Sequence, residues 1–214
     1  MSLAATCPAQ ELELEMLDPG CMPLWRLFKY PGGDWEEPDE IYRNERVDPP
    51  AGQKGAYSVL YMGNTLHGVA IECRLLRANI QDKYTWAADT ANEYQVVQYS
   101  FSRPAIFLPI DGGNKRRLGL DPKNRAPGKR DAFQEAGLAL FVRFGQVVHG
   151  LSWDSMHRDQ PTRVYALWHD HKKTIGLARP AKQNYFKLPA HPDWRQFLAD
   201  NPDVEATDAF TGTA

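Results

Sequence analysis

Cysteine is scarce. Cys7, Cys21 and Cys73 are the only three in 214 residues, an odd number without C-x-x-C spacing, which excludes a disulfide framework and a zinc knuckle built on thiolates. Reduced thiols suit a cytoplasmic protein. No apolar run approaches the roughly 20 residues that a membrane-spanning helix needs, and the N-terminus lacks the basic-then-apolar layout of a signal peptide. Neither charge is in surplus: 25 Lys plus Arg stand against 27 Asp plus Glu, a formal net charge of -2, so there is no broad positive field to hold a phosphate backbone. These absences set aside a membrane and nucleic acid as partners. The sequence also lacks a Gly-x-Ser-x-Gly elbow, a Walker loop and a Gly-x-Gly-x-x-Gly fingerprint, so serine hydrolase, nucleoside triphosphatase and Rossmann readings have no carriers.

What is present is ordinary globular composition: 43% hydrophobic, 24% charged and 11% aromatic residues, enough apolar surface for one core and too much for a disordered chain. The 16 Pro and 16 Gly gather in patches, which predicts many loops. The pattern predicts a short helix within Glu11 to Leu17, a half-buried strand over Leu24 to Tyr30, and a long loop from Asp34 to Tyr57, broken by Pro38, Pro49, Pro50, Gly52 and Gly55. A strand over Ser58 to Met62 leads into a helix from about Thr65 to Arg77, whose apolar face is Leu66, Val69, Ala70, Cys73 and Leu76. Glu72 falls on the flank of that face, where it would point into a partly dry cleft. Further strands are predicted near 96–101, 105–110, 147–153 and 163–168, with a helix over 131–144, a loop over 112–129, a short helix from Pro192 and a loose tail over 206–214. The fold class is mixed α+β with short strands and flanking helices. Residues 1–21 read as an N-terminal lead-in, 22–178 as the principal domain and 179–214 as a C-terminal extension.

His169-Asp170-His171 would place two imidazoles on one side of an extended chain, but no third ligand has a helpful spacing and Lys172-Lys173 repels a cation. The reading is a solvated strand end and no metal. Cys73, on the apolar face, reads as a small buried hydrophobe rather than a nucleophile. The Lys115-Arg116-Arg117 run reads as a solvated loop.

Three segments taken together carry a resemblance. Leu24-Trp25-Arg26-Leu27 is followed, after the long loop, by Arg46-Val47-Asp48-Pro49-Pro50. Val59-Leu60-Tyr61-Met62-Gly63 runs into Ala70-Ile71-Glu72. His149-Gly150-Leu151-Ser152-Trp153-Asp154-Ser155 comes later. In this order, over about residues 22 to 178, they resemble the RES-domain family, with Asp48 where that family more often has Asn and Trp153 where it has Tyr. The resemblance implies an ADP-ribosyltransferase-like fold and an enzyme that consumes NAD as a toxin, held in check by a helix-turn-helix antitoxin. The nicotinamide-ribose bond would be cleaved with phosphate, water or a protein as acceptor. Arg46, Tyr61, Glu72 and Ser155 take the matching site positions, with Arg26 as a further substrate-binding residue.

The chemistry of these residue types agrees with that reaction. Loss of nicotinamide leaves positive charge on the ribose, which a fixed carboxylate such as Glu72 stabilises. The pyrophosphate wants a planar bidentate donor, which Arg46 and Arg26 offer. Tyr61 would cover or hydrogen-bond the nicotinamide side, and Ser155 would hold the ribose or carboxamide by one hydrogen bond. Each has a plainer alternative: a solvated arginine, a structural salt bridge for Glu72, a core tyrosine, a serine ending a strand. The rival function is a non-catalytic interaction module that keeps the fold and its helix-turn-helix partner without turning over NAD. Homodimerisation stays open.

Overall fold

The computed structural model describes residues 11–78, 83–120, 130–155 and 162–207. Alternation writes the main sheet. In β2 (Leu24–Phe28), Leu24 and Phe28 enter one apolar cluster while Trp25 and Leu27 enter another. In β3 (Val59–Gly63), Leu60 and Met62 join the first cluster while Val59 and Tyr61 face a third. The period of two fixes which face each residue meets. The remaining strands of this sheet are β1 (Glu15–Leu17), β6 (Gln95–Phe101), β7 (Ala105–Pro109), β8 (Gly150–Asp154), β9 (Arg163–Trp168), β10 (Leu177–Ala178) and β11 (Phe186–Lys187). Their order is β1-β7-β8-β9-β3-β2-β6-β10, with β11 also on β6. Among the described residues of this sheet only β7 and β8 pair in parallel, and a parallel pair needs a long crossover. That crossover contains α3 (Gly112–Arg117) and α4 (Arg130–Phe144), with α4 packed over β8, β9 and β3 through Ala136, Leu140 and Phe144.

On the same face, over β2 and β6, lies α1 (Leu66–Glu72). Thr65 caps it by accepting from Gly68 N at 3.2 Å, as a helix start requires. The helix predicted to Arg77 stops at Glu72. Leu75 N bonds Ala70 O and Arg74 N bonds Ile71 O, both at 2.8 Å, with Arg74 left-handed at φ 58. This is a Schellman closure with arginine in the place glycine usually takes, and it turns residues 76–78 into β4 (Leu76–Ala78). β4 pairs with β5 (Tyr84–Ala87), which is followed by α2 (Ala88–Ala91) and pairs on its other side with β12 (Glu205–Thr207), making a three-stranded second sheet. The apolar face of α1 is covered by α5 (Pro192–Asp200), whose Trp194 is fully buried against it.

Several local expectations change. The helix expected within Glu11 to Leu17 gives way to strand β1, because Glu15 is drawn into a polar cluster: its carboxylate accepts from Ser152 Oγ at 2.6 Å, Tyr165 OH at 2.7 Å and Arg163 Nε at 2.8 Å. The basic run 115–117 is the last turn of α3, where positive charge suits the helix dipole, and Arg117 pairs with Glu13 at 3.0 Å. His169 to His171 forms a 3-10 turn rather than a strand end. His169 is buried, and desolvation beside Lys172, Arg26 and Arg43 lowers its pKa to about 3, while His171 Nε2 meets Gly145 O at 2.7 Å. Residues 206 and 207 of the tail are held in β12; 208–214, like 1–10, lie outside the described residues. Among the described residues no helix is long and apolar enough to cross a membrane.

The seating of α1 depends on one absent side chain. A Cβ on Gly68 would stand 2.0 Å from Thr162 Cγ2 and 2.7 Å from its Cβ, so the helix approaches the start of β9 only because position 68 is glycine. Gly68→Ala is expected to destabilise the protein by about 2 kcal/mol or more, although alanine adds ~1 kcal/mol of helix propensity. Urea unfolding measures the difference.

Candidate active site

β2 and β3 are neighbours joined at a single register pair, Trp25 with Gly63. Beyond it the strands part, and the side chain of Arg26 bridges the gap. Its Nη1 donates to Tyr61 O at 3.0 Å, its Nε to Gly33 O at 2.8 Å and its Nη2 to Tyr30 OH at 3.1 Å. A guanidinium suits this place because its donors are fixed in one plane and always charged. Arg26 thus braces the gap, and its positive charge also reaches Cys73 at the end of α1.

The 34–57 loop is pinned to the sheet. Asp34, almost fully buried, pairs with Arg179 and accepts from Tyr185 OH at 2.9 Å. Lys172 Nζ donates to Trp35 O at 2.7 Å. Arg43 donates to the carbonyls of Pro38, Lys54 and Tyr57 at 2.9 to 3.0 Å. The loop's end carries Arg46. There Asp48, 4% exposed, accepts from Glu45 N at 2.7 Å and from Tyr61 OH at 3.1 Å, while Val47 N donates to Tyr61 OH at 3.3 Å. Burial raises the Asp48 pKa, and the bonds from Glu45 N and Tyr61 pull against that rise. On the α4 side, Gln134 Nε2 donates to Glu45 O at 2.9 Å, and a Cβ on Gly137 would lie 3.0 Å from Val47 O. The Arg46 guanidinium stands 5.5 Å from the Phe133 ring centroid on the same helix.

Glu72 sits on the last turn of α1, where the Schellman closure sets its direction and where the helix dipole disfavours a carboxylate. Ser155, just past β8, answers this by donating its Oγ to Glu72 Oε1 at 2.6 Å. The two are 83 residues apart in sequence. Trp153, on the same face of β8 as Ser155, meets the Tyr61 ring edge-on with centroids 6.4 Å apart. The residues singled out in the sequence therefore fall into two linked groups. Glu72 contacts Ser155 directly, Arg26 holds the backbone of Tyr61, and Tyr61 holds the turn that carries Arg46. The Tyr61 hydroxyl is engaged with Asp48 and Val47, so of the two expected tasks, covering the nicotinamide side or hydrogen-bonding to it, the second is taken up by the protein itself. Cys73 is half-buried, and desolvation pushes its thiol up to about 12, so it is no nucleophile.

Sequence reasoning passed over Glu45 and gave Asp48 only the role of a departure. The negative charge of Glu45 reaches Tyr61, Asp48 and Cys73. The available signal was adjacency to Arg46.

A mixed α+β fold with a parted central sheet and these groups about the parting is thus defined. The mixed α+β class anticipated from the sequence is the class observed. The chain matches no protein-family model and no curated protein. Among solved structures it is similar to a chain of the M. tuberculosis MbcT-MbcA toxin-antitoxin complex, with TM-score 0.54 and 14% identity, over 83% of this chain and 89% of that one.

Removing the Tyr61 hydroxyl isolates its bracing role. Tyr61→Phe is expected to cost about 1–3 kcal/mol by removing the hydroxyl that Asp48 Oδ1 and Val47 N–H both bond. It also raises the Asp48 pKa further, and because this carboxyl takes up a proton more readily folded than unfolded, the extra cost is full at neutral pH and shrinks as the solution is acidified through the folded-state pKa. Denaturant unfolding as a function of pH checks both.

Proposed function

We propose that this chain is an NAD-consuming toxin that breaks the nicotinamide-ribose bond, with water, phosphate or a protein side chain as acceptor. The observation that carries the reading is the 2.6 Å bond between Ser155 Oγ and Glu72. It orients a half-buried carboxylate against its own helix dipole, an arrangement with a cost that a purely structural site has no reason to bear. Glu72 supplies the negative charge that stabilises the oxocarbenium-like ribose as nicotinamide departs. Arg46, at the end of a pinned loop, meets the pyrophosphate. Tyr61 holds that loop in register and lends its ring to the nicotinamide side of the cleft. Ser155 holds the Glu72 carboxylate in one orientation toward the ribose.

The solved neighbour comes from a toxin-antitoxin complex, which supports an antitoxin as partner here. In this reading a carboxylate-bearing segment of a helix-turn-helix antitoxin enters the cleft beside the 34–57 loop, meets Arg46 and competes with NAD.

Glu72→Gln is nearly isosteric and keeps an acceptor for Ser155, so the fold is expected to persist while NAD consumption falls by at least about a hundredfold. Chromatographic assay of NAD and nicotinamide, with thermal melting as the control for folding, decides it; wild-type turnover in the variant removes Glu72 from the reaction. Expression without a cognate antitoxin is expected to slow growth and lower cellular NAD together, and Glu72→Gln to abolish both effects. A wild-type chain that is harmless at high expression while NAD stays constant favours the interaction module instead.

A further inference from the structure

The end of the β8–β9 pair is fastened from the face opposite the helices. Asp154 stands across from Arg163, and one residue further on Ser155 N donates to Thr162 O at 2.7 Å. Both flanking strands have ended by this point, β7 at Pro109 and β3 at Gly63. Side chains supply the bonds that those strands no longer make: Asp154 N donates to Asp111 Oδ2 at 2.6 Å on one side, and Arg163 N donates to Asn64 Oδ1 at 2.9 Å on the other. Val164 and Trp153 belong to the cluster under α4 and Tyr165 to the cluster on the other face, so alternation sends the Arg163 side chain away from α4 and α1. There its guanidinium donates to Asp111 Oδ2 at 2.6 Å, Asp154 Oδ1 at 2.9 Å, Glu15 Oε2 at 2.8 Å and Ser152 Oγ at 3.1 Å. One planar cation ties together β1, the corner after β7 and both strands of the pair, and without it three carboxylates would repel one another.

On the helix face the next pair, Ser155 with Thr162, meets α1 twice. Thr162 is the buried side chain against which Gly68 is seated, and Ser155 Oγ donates to Glu72 Oε1 at 2.6 Å. We propose that Arg163 is a positioning residue for the reaction, acting through Ser155 and Thr162 to set where the Glu72 carboxylate is held. The inference rests on the NAD reading above and adds to it a determinant on the far face of the sheet. The path is short: one covalent step leads from Asp154 to Ser155, and one from Arg163 to Thr162. A charge-assisted bond of 2.6 Å leaves little room for displacement, and misplacing a group that orients a reacting centre by about 1 Å costs on the order of a hundredfold in rate.

The test uses the full chain and two variants, Arg163→Gln and Asp111→Ala, the second removing a partly exposed side chain and serving where the first fails to fold. Each is expected to lower kcat for NAD by about tenfold or more at unchanged KM, and to speed hydrogen exchange at the Ser155 amide, which Thr162 O protects. Arg163→Lys, which keeps the charge without the fork, is expected to fall between wild type and Arg163→Gln. The same changes made in Ser155→Ala are expected to lower kcat less than about twofold further, because the link through which they act is already gone. A general loss of folded protein would instead reduce activity equally in both backgrounds. Equal effects in both backgrounds, or unaltered exchange at Ser155, overturn the inference while leaving the NAD reading in place. A wild-type chain that leaves NAD intact overturns the NAD reading and the catalytic role of Arg163 with it, a different result from turnover that ignores these substitutions.

Discussion

The parting of β2 from β3 is the constraint on which the rest of the molecule depends. A sheet paired along its full length presents two smooth faces and no place for a polar cleft. Here one register pair, Trp25 with Gly63, holds the two strands together, and the guanidinium of Arg26 supplies Tyr61 O with a donor where β2 no longer runs alongside. A buried carbonyl without a donor costs on the order of 1–3 kcal/mol, so the parting persists only because a long, permanently charged, multi-donor side chain sits within reach. The same side chain holds Gly33 and Tyr30, which starts the long loop on its course across the gap. Lysine, with one point of charge, would not satisfy three acceptors in this geometry.

On one face of the sheet lie two apolar clusters, one under α4 and one under α1. The 45–48 turn, Tyr61 and Trp153 border the first, and Glu72 ends the helix that covers the second. The site is therefore assembled from two halves of the core, each of which packs on its own terms. What joins them are few and short contacts, of which the bond between Ser155 and Glu72 is the most direct. Small movements of one half against the other would be felt first at that bond, since dense packing within each half resists deformation.

Much of this was legible in the sequence, and the failures have physical causes. The partly alternating run from Leu24, the apolar run between breakers at 58–62 and the strand at 163–168 were readable, and helix α4 (Arg130–Phe144) declared itself by spacing from Asp131. The early stop of α1 was hidden because a Schellman closure usually shows a glycine, whereas this one uses Arg74. β5, β10, β11 and β12 escaped because strands of two to four residues have no periodicity to read, and they exist only through their partners. His169 was misread as solvated because its burial comes from the loop folded across the sheet, a long-range event. In the site, the residue types at 26, 46, 61, 72 and 155 could be singled out from short motifs. The commitment of the Tyr61 hydroxyl to Asp48 could not, since it requires the loop's path, and Glu45 carries no motif of its own.

The covering of α1 by Trp194 has a consequence for how the chain comes into being. The helix that carries Glu72 is made early, yet its apolar face is completed by α5, more than a hundred residues later, and β4 and β5 gain their third strand only with residues 205–207. During synthesis the early segments emerge with their contacts still unmade, and local propensity in a seven-residue helix is too weak to hold it alone. The nascent chain thus passes through a long interval with the Glu72 carboxylate unplaced, and the seating of its helix is completed only when the last helix docks.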